Sequence, residues 1–124
     1  MTPTTSSSFT IGDTIVVPWR PERPVKVTAT MYEAVHRLRA ATIIAARRRS
    51  TITYGEAELA IDGLYVAQGL GPALDLLSYD CEARGEPSLA ALVVRKDSGK
   101  VGDGFEGDAD LGREECYEHW SKRR

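Results

Sequence analysis

Residues 52–56 have the sequence Ile52-Thr53-Tyr54-Gly55-Glu56, and this short stretch predicts where a helix starts. The Thr53 hydroxyl can accept a hydrogen bond from the Glu56 amide while the Glu56 side chain reaches back, which is the capping-box pattern. Ile52, just before the cap, is placed to pack on the first turn. The pattern predicts a helix from about Tyr54 to Ile61 that stops at Asp62-Gly63.

An amphipathic helix is predicted upstream of this stretch. Thr30-Met31-Tyr32-Glu33 repeats the capping-box pattern and marks the expected start. Apolar residues then recur with helical spacing at Met31, Val35, Leu38, Ala41 and Ala45. Three consecutive arginines, Arg47, Arg48 and Arg49, follow at the end, where the helix dipole favours cations. We call these three residues the arginine run.

Downstream, the sequence predicts a third helix, a hairpin and a last short helix. Apolar residues of the third helix share one face, namely Leu70, Leu74, Leu77 and Cys81. Pro72 belongs in its first turn, and Gly85 with Pro87 closes it. The segment from Ala90 to Lys96 is typical of a strand, and residues 97–100 are typical of a turn. The segment from Val101 to Phe105 is expected to be the strand that pairs with the first. The last helix is indicated by Leu111, Cys116, Tyr117 and Trp120.

The N-terminal part of the chain is predicted to contain a flexible tail, short strands and a proline-rich segment. Residues 1–8 are rich in Thr and Ser and are expected to form a flexible tail. Residues 9–11 and 14–17 flank Gly12-Asp13 and suggest a short β element, and Val25-Lys26-Val27 suggests another strand. Prolines 18, 21 and 24 exclude regular structure between them, with Trp19 expected to anchor this segment on the core. We therefore predict a single α+β domain over residues 9–124, helix-turn-helix or winged-helix-like, with residues 90–105 as a small β-hairpin wing.

Composition and charge narrow the class of protein. The 124 residues are 42% hydrophobic and include only two cysteines, with no apolar run long enough to cross a bilayer and no signal-peptide pattern. These features predict a cytoplasmic protein that does not enter a membrane. The net charge is −2, yet residues 20–49 hold eight basic side chains against two acids, and residues 103–118 hold seven acids against one arginine. Two interpretations fit this distribution of charge: a molecule with one basic and one acidic region, or a solvated surface on which the charges are sorted by chance.

No motif points to a catalytic or metal centre. Residues 102–107 spell GxGxxG, but acids surround the glycines and too few residues remain for the βαβ unit of a dinucleotide site. The same acids fit no register of an EF-hand. Cys116 and His119 have zinc-ligand spacing but lack a second pair. No nucleophile with a base is indicated, so we expect a non-enzymatic protein without metal, cofactor or small-molecule substrate.

Residues 50–107 resemble the DNA-binding half of alkylguanine-DNA alkyltransferases and of the inactive alkyltransferase-like proteins. The resemblance is carried by residues 52–56, by Gln68-Gly69-Leu70-Gly71, and by Leu92-Val93-Val94 with the glycines that follow. It implies that Tyr54 contacts a DNA phosphate. Gln68 stands in place of the arginine that fills the space left by a flipped base, and Ala90 in place of the reactive cysteine. The resemblance therefore implies a winged-helix DNA-binding domain that does not transfer alkyl groups.

The chain is also similar to a group of small proteins of actinobacteria and their phages. They share residues 52–56 and a string like residues 88–96 that ends in Gly102-Asp103-Gly104-Phe105. This similarity implies a compact helix-turn-helix-like module, encoded in some cases among phage early genes that interfere with the host.

Two hypotheses of function follow. The first is DNA binding, with the helix that begins near Val66 as recognition element and Arg47, Arg48, Arg49, Thr53, Tyr54, Tyr65, Gln68, Arg95, Lys96 and Lys100 as contacts. Against it, Asp75 on that helix would repel phosphates, and a pI near 5.7 is low for a DNA-binding protein. The second is a protein-interaction module for a basic host protein, anchored by Phe105, Tyr117 and Trp120 within the acidic stretch.

Overall fold

Helix α1, Ala29–Arg47, is the longest element, and both α3 and α4 pack against it. The computed structural model describes residues 8–102, 105 and 107–121. The elements in chain order are β1 (Thr14–Ile15), β2 (Val25–Lys26), α1, β3 (Ile52–Thr53), α2 (Tyr54–Ala60), α3 (Gly71–Ala83), β4 (Val93–Val94) and α4 (Ala109–Ser121). Four helices and two small sheets among these residues make the fold α+β, as predicted. Of the expected tail, residues 1–7 lie outside the described residues, and Ser8 donates hydrogen bonds to Asp80 through its amide and its hydroxyl.

The start of α1 differs from the prediction. Thr28, with extended backbone, is the cap, and its hydroxyl accepts a hydrogen bond from the Met31 amide at 3.1 Å. Thr30 already lies inside the helix, so the predicted capping box at Thr30 is wrong. The reason is tertiary: the Val27 amide donates to the Asp13 carbonyl at 2.8 Å, so strand pairing holds the chain extended up to Thr28. The helix begins at the first residue beyond this pairing.

The end of α1 lies at the arginine run, as predicted. Arg48 is the C-cap and Arg49 adopts the left-handed conformation, with φ of 54°. The Ser50 amide donates to the Ala45 carbonyl at 2.9 Å, and the Arg49 amide to the Ala46 carbonyl at 3.0 Å. These two bonds form a Schellman motif, in which glycine is the usual residue at the position of Arg49.

The capping box at the start of α2 is confirmed. The Thr53 hydroxyl accepts from the Glu56 amide at 3.1 Å, and the Glu56 carboxylate accepts from the Thr53 amide at 2.8 Å. The helix ends at Ala60, and the chain turns at Asp62 and Gly63, both with positive φ. Local sequence was sufficient here because both halves of the cap lie within four residues.

Two short pairings make the sheets. β1 pairs antiparallel with β2, Thr14 opposite Lys26 and Ile15 opposite Val25. Of the short β element expected over residues 9–17, only Thr14–Ile15 is a strand, and Phe9 instead buries its ring in the core. β3 pairs in parallel with β4, which places Ile52 beside Val93. This second pairing brings the start of α2 next to the chain segment that follows β4.

The predicted wing is only partly formed. The strand expected from Ala90 to Lys96 is reduced to Val93–Val94, because residues 89–92 form a buried 3₁₀ turn that contacts α1, α3 and α4. A segment enclosed on several sides has no room for a partner strand. The turn at residues 97–100 is present, and the Arg95 amide donates to the Lys100 carbonyl at 2.7 Å. Val101, Gly102 and Phe105 form no strand, and residues 103, 104 and 106 lie outside the described part of the chain.

The remaining helices follow their sequence patterns. Pro72 lies in the first turn of α3, and Gly85 turns the chain after its end with φ of 73°. α4 begins after Asp108, whose carboxylate accepts from the Leu111 amide at 3.1 Å. The core lies between α1, α3, α4 and the 3₁₀ turn, with Leu38, Leu77 and Leu92 fully buried. Among the described residues, no helix has both the length and the apolar character needed to cross a membrane.

Candidate functional site

An open cleft of about 990 Å³ lies between four segments of the chain. One wall is the proline-rich segment between β1 and β2, residues 18–24, which we call the strap. The other three are the start of α2, the 3₁₀ turn Ala67–Gly69 with the start of α3, and the segment after β4. The parallel β3–β4 pair thus carries two of the walls. The cleft is the place where segments distant in sequence converge.

The strap is held over α3 by one buried carboxylate. Asp75 accepts hydrogen bonds from the Trp19 indole nitrogen at 3.2 Å and from the Arg20 guanidinium at 2.8 and 3.4 Å. Asp75 is 9% exposed, and a carboxylate at this depth needs such partners to offset its lost hydration. The interaction fixes Trp19 and Arg20 on the cleft wall. The Arg20 guanidinium also neutralises the negative charge of Asp75, which we had expected to repel phosphates.

The remaining charge of the cleft is mostly positive. Besides the Arg20–Asp75 pair, the described residues that line it include three exposed cations, Arg23, Arg95 and Lys96, against the exposed carboxylate of Asp97. The whole chain carries a net charge of −2, so the described residues that line the cleft have, taken together, the opposite sign to the molecule. A concave surface with an excess of one charge concentrates ions of the other sign. The cleft therefore favours an anionic ligand.

Four of the residues predicted to contact DNA meet at this cleft, namely Tyr54, Gln68, Arg95 and Lys96. Gln68 is exposed on the 3₁₀ turn, whereas Tyr54 is half-buried at the start of α2. Tyr54 lies close against Gly102, where an added Cβ would come within 2.5 Å of the Tyr54 hydroxyl oxygen. Gly102 is thus the residue that leaves space for the tyrosine ring.

The other predicted DNA contacts lie elsewhere. Arg49 pairs with Glu118 on α4 at 3.4 Å, and its guanidinium lies 5.9 Å from the centre of the Tyr117 ring. The Thr53 hydroxyl is engaged in the capping box, and Tyr65 packs against the core. None of the following lines the cleft: Arg47, Arg48, Arg49, Thr53, Tyr65 and Lys100.

The cleft offers no thiol. Ala90, which stands in the place of the reactive cysteine in the resemblance, lines it and is 5% exposed. Burial raises the pKa of Cys81 to about 11 and that of Cys116 to about 12, so both thiols are protonated at neutral pH. The Cys116 thiol donates to the Ser88 carbonyl at 3.2 Å. Among the described residues, no group of three or more His, Cys, Asp or Glu side chains is arranged to hold a metal ion.

The aromatic residues proposed as protein anchors have different environments. Phe105 is half-buried and lines the cleft. Tyr117 and Trp120 are 8% and 7% exposed and belong to the core. The Arg39 guanidinium lies 5.6 Å from the centre of the Trp120 ring and is itself bound to Glu86. Two of the three predicted anchors are thus core residues.

The contribution of the strap to the cleft was not predicted from the sequence. Trp19-Arg20-Pro21-Glu22-Arg23-Pro24 interleaves an aromatic residue and two cations with prolines, a pattern that keeps side chains on a stiff, non-helical segment. We expected Trp19 only to anchor this segment. In the structure, Trp19 and Arg23 line the cleft from a part of the chain outside residues 50–107.

No protein-family model, curated protein or solved structure matches this chain. The chemistry of the cleft is therefore the basis for assigning a function. Its main features are an excess of exposed cations among the described lining residues, three aromatic side chains and an exposed glutamine.

Proposed function

We propose that the protein is a non-enzymatic DNA-binding protein of the winged-helix type, with the cleft as its DNA-binding surface. The observation that carries the proposal is the convergence of Arg23, Arg95 and Lys96 on one concave surface of an otherwise acidic chain. Contacts between phosphates and basic side chains supply most of the sequence-independent affinity of such proteins. In this proposal α2 and α3 form the helix pair, and the turn at residues 97–100 takes the place of the wing.

The polar and aromatic residues of the cleft suit DNA better than a simple anion. Gln68 is exposed at the rim, and a glutamine amide can make two hydrogen bonds to the edge of an adenine. Tyr54 follows the β3 strand and offers a hydroxyl for a phosphate or sugar contact. The low pI is no obstacle, since long-range attraction depends on where charges lie as well as on their sum.

The proposed activity is binding without chemistry. In the resemblance, Ala90 stands in the place of the alkyl-accepting cysteine. Both thiols of the chain are buried and protonated. A thiol is a weak nucleophile unless it is ionised. DNA containing an alkylated guanine is therefore expected to keep its alkyl group after incubation with the protein, as mass spectrometry of the intact chain would report.

The alternative proposal is a protein-interaction module for a basic host protein, and the exposed acids of α4 favour it. Glu114, Glu115 and Glu118 are exposed along this helix, and the Asp110 side chain is 93% exposed. Because Tyr117 and Trp120 are buried, such a partner would bind the acids rather than the aromatic rings. Binding of this kind would survive changes in the cleft.

The salt dependence of DNA binding tests the main proposal. A labelled DNA duplex with a single-stranded extension is titrated with the parent chain across a series of salt concentrations. The variant Arg23→Gln/Lys96→Gln removes two cleft cations, and each lost phosphate contact flattens the slope of log K against log salt by about 0.9. The matched control Arg47→Gln/Arg48→Gln removes two exposed cations outside the cleft and is expected to keep the parent slope.

Two results would count against this proposal. No binding by the parent at low salt would overturn DNA binding altogether and leave the protein-interaction module. If the slope of log K against log salt is shallower in Arg47→Gln/Arg48→Gln but unchanged in Arg23→Gln/Lys96→Gln, the phosphate contacts lie at the arginine run and not in the cleft. Circular dichroism of each variant shows that the fold is retained.

A further inference from the structure

We infer that Trp19 is a stacking platform for an unpaired nucleobase, so that the cleft binds single-stranded DNA in preference to duplex DNA. The inference rests on the proposed function and narrows its ligand. Trp19 lies on the strap, lines the cleft and is half-buried. The strap lies outside residues 50–107, so the resemblance assigns no role to it.

The cleft combines aromatic rings with cations. Trp19, Tyr54 and Phe105 come from three separate walls, and each is half-buried. Surfaces that bind single strands without sequence preference join a positively charged groove to aromatic side chains on which bases stack. A base inside a duplex has both faces covered by its neighbours, so only an unstacked base can offer a face to an indole.

The position of Trp19 is fixed before any ligand arrives. Its indole nitrogen donates to Asp75 at 3.2 Å, and Arg20, the next residue, binds the same carboxylate at 2.8 Å. The strap backbone is tied by hydrogen bonds from the Arg20 amide to the Val17 carbonyl and from the Arg23 amide to the Arg20 carbonyl. A preformed platform costs less conformational entropy on binding than a mobile side chain.

Cations line the cleft together with Trp19. Arg23 lies on the strap beyond Trp19, and Lys96 lies on the segment after β4, so both sit at the same cleft as the indole. A cleft of about 990 Å³ is at the upper end of the range for sites that enclose small ligands, which leaves room for a base with its sugar and phosphate. The ligand class is therefore an unpaired stretch of nucleic acid.

Trp19 fluorescence provides a direct test. The chain has two tryptophans, so the variant Trp120→Phe leaves Trp19 as the sole indole reporter. Oligothymidylate of about twelve nucleotides is titrated into this variant, and a duplex of equal length is titrated in parallel. We expect the single strand to quench Trp19 emission at concentrations where the duplex does not.

Two substitutions separate stacking from the hydrogen bond to Asp75. Trp19→Leu removes the ring and the donor, and it is expected to weaken single-strand binding about 5- to 150-fold. Trp19→Phe removes the donor and keeps a ring, and it is expected to retain most of the affinity. Both are measured by anisotropy of the labelled strand in the chain that keeps Trp120, so they remain informative if Trp120→Phe fails to fold.

The outcomes distinguish this inference from the proposed function. Equal quenching by duplex and single strand, or parent-like binding by Trp19→Leu, overturns the inference while DNA binding stands. An affinity of Trp19→Phe as low as that of Trp19→Leu overturns stacking in favour of a structural role of the indole nitrogen. Absence of binding to either form of DNA overturns the proposed function, and the inference with it.

Discussion

The arginine run and the cleft show two different ways in which a chain concentrates positive charge. In the run, three arginines are adjacent in sequence, yet Arg48 caps α1 and Arg49 turns the chain and pairs with Glu118. At the cleft, Arg23 and Lys96 are distant in sequence and meet across a concave surface. A dense run of charge along a sequence thus need not form the main charged site in space. Substitutions that alter one region and spare the other test this difference.

Loss of the Asp75 carboxylate should have the largest effect on stability. Asp75→Ala removes three hydrogen bonds that hold the strap, two of them from a charged guanidinium. We expect the free energy of unfolding to fall by about 2–3 kcal/mol, measured by denaturant melting. Asp97→Ala, an exposed carboxylate of the same cleft, should change it by less than about 0.5 kcal/mol. If Asp75→Ala and Asp97→Ala change the free energy of unfolding by the same small amount, Asp75 does not hold the strap in place.

The helix that carries the arginine run should depend on Thr28 and not on Thr30. Thr28→Ala removes the hydroxyl that accepts from Met31, and it should cost about 0.5–2 kcal/mol in the free energy of unfolding. Thr30→Ala, two residues later, should lie within about 0.5 kcal/mol of the parent because alanine is a better helix former. The comparison uses thermal or denaturant melts of both variants. The reverse order of the two effects would place the cap at Thr30.

The smallest expected effect is a gain, at the end of the arginine run. Arg49 has φ of 54°, a conformation that costs a residue with a Cβ about 1–2 kcal/mol. Arg49→Gly should raise the free energy of unfolding by about 0.5 kcal/mol, since the exposed ion pair with Glu118 offsets only part of the relief. Arg49→Ala keeps the strain and should show no gain. A shallower salt slope for DNA binding in Arg49→Gly would instead identify this residue as a phosphate contact.

Elements whose determinants lie close together in the chain were predicted well. The capping box at Thr53, the turn at Asp62-Gly63, and Pro72 in the first turn of α3 all occur as expected. Each depends on hydrogen bonds or steric limits within a few residues. The corrected elements depend on partners farther away: Thr28 rather than Thr30 caps α1 because Val27 is paired with Asp13, and residues 89–92 form a buried turn rather than part of a wing strand. No local pattern distinguishes these alternatives.

The candidate site was likewise predicted only in part from the sequence. Local patterns and the resemblance predicted DNA contacts at Tyr54, Gln68, Arg95 and Lys96. They also predicted DNA contacts at the arginine run, and nothing in the spacing of these residues showed which group would line the cleft. The cleft depends on the β3–β4 pairing and on the buried Asp75, which joins the strap to α3 across more than fifty positions of sequence. The cap of α2 and the turn after it are specified by neighbouring residues, because their hydrogen bonds close over three to five positions. The charge and shape of a concave surface arise only when distant segments pack together, because burial selects which side chains remain exposed and which, like Asp75 and Arg20, neutralise each other.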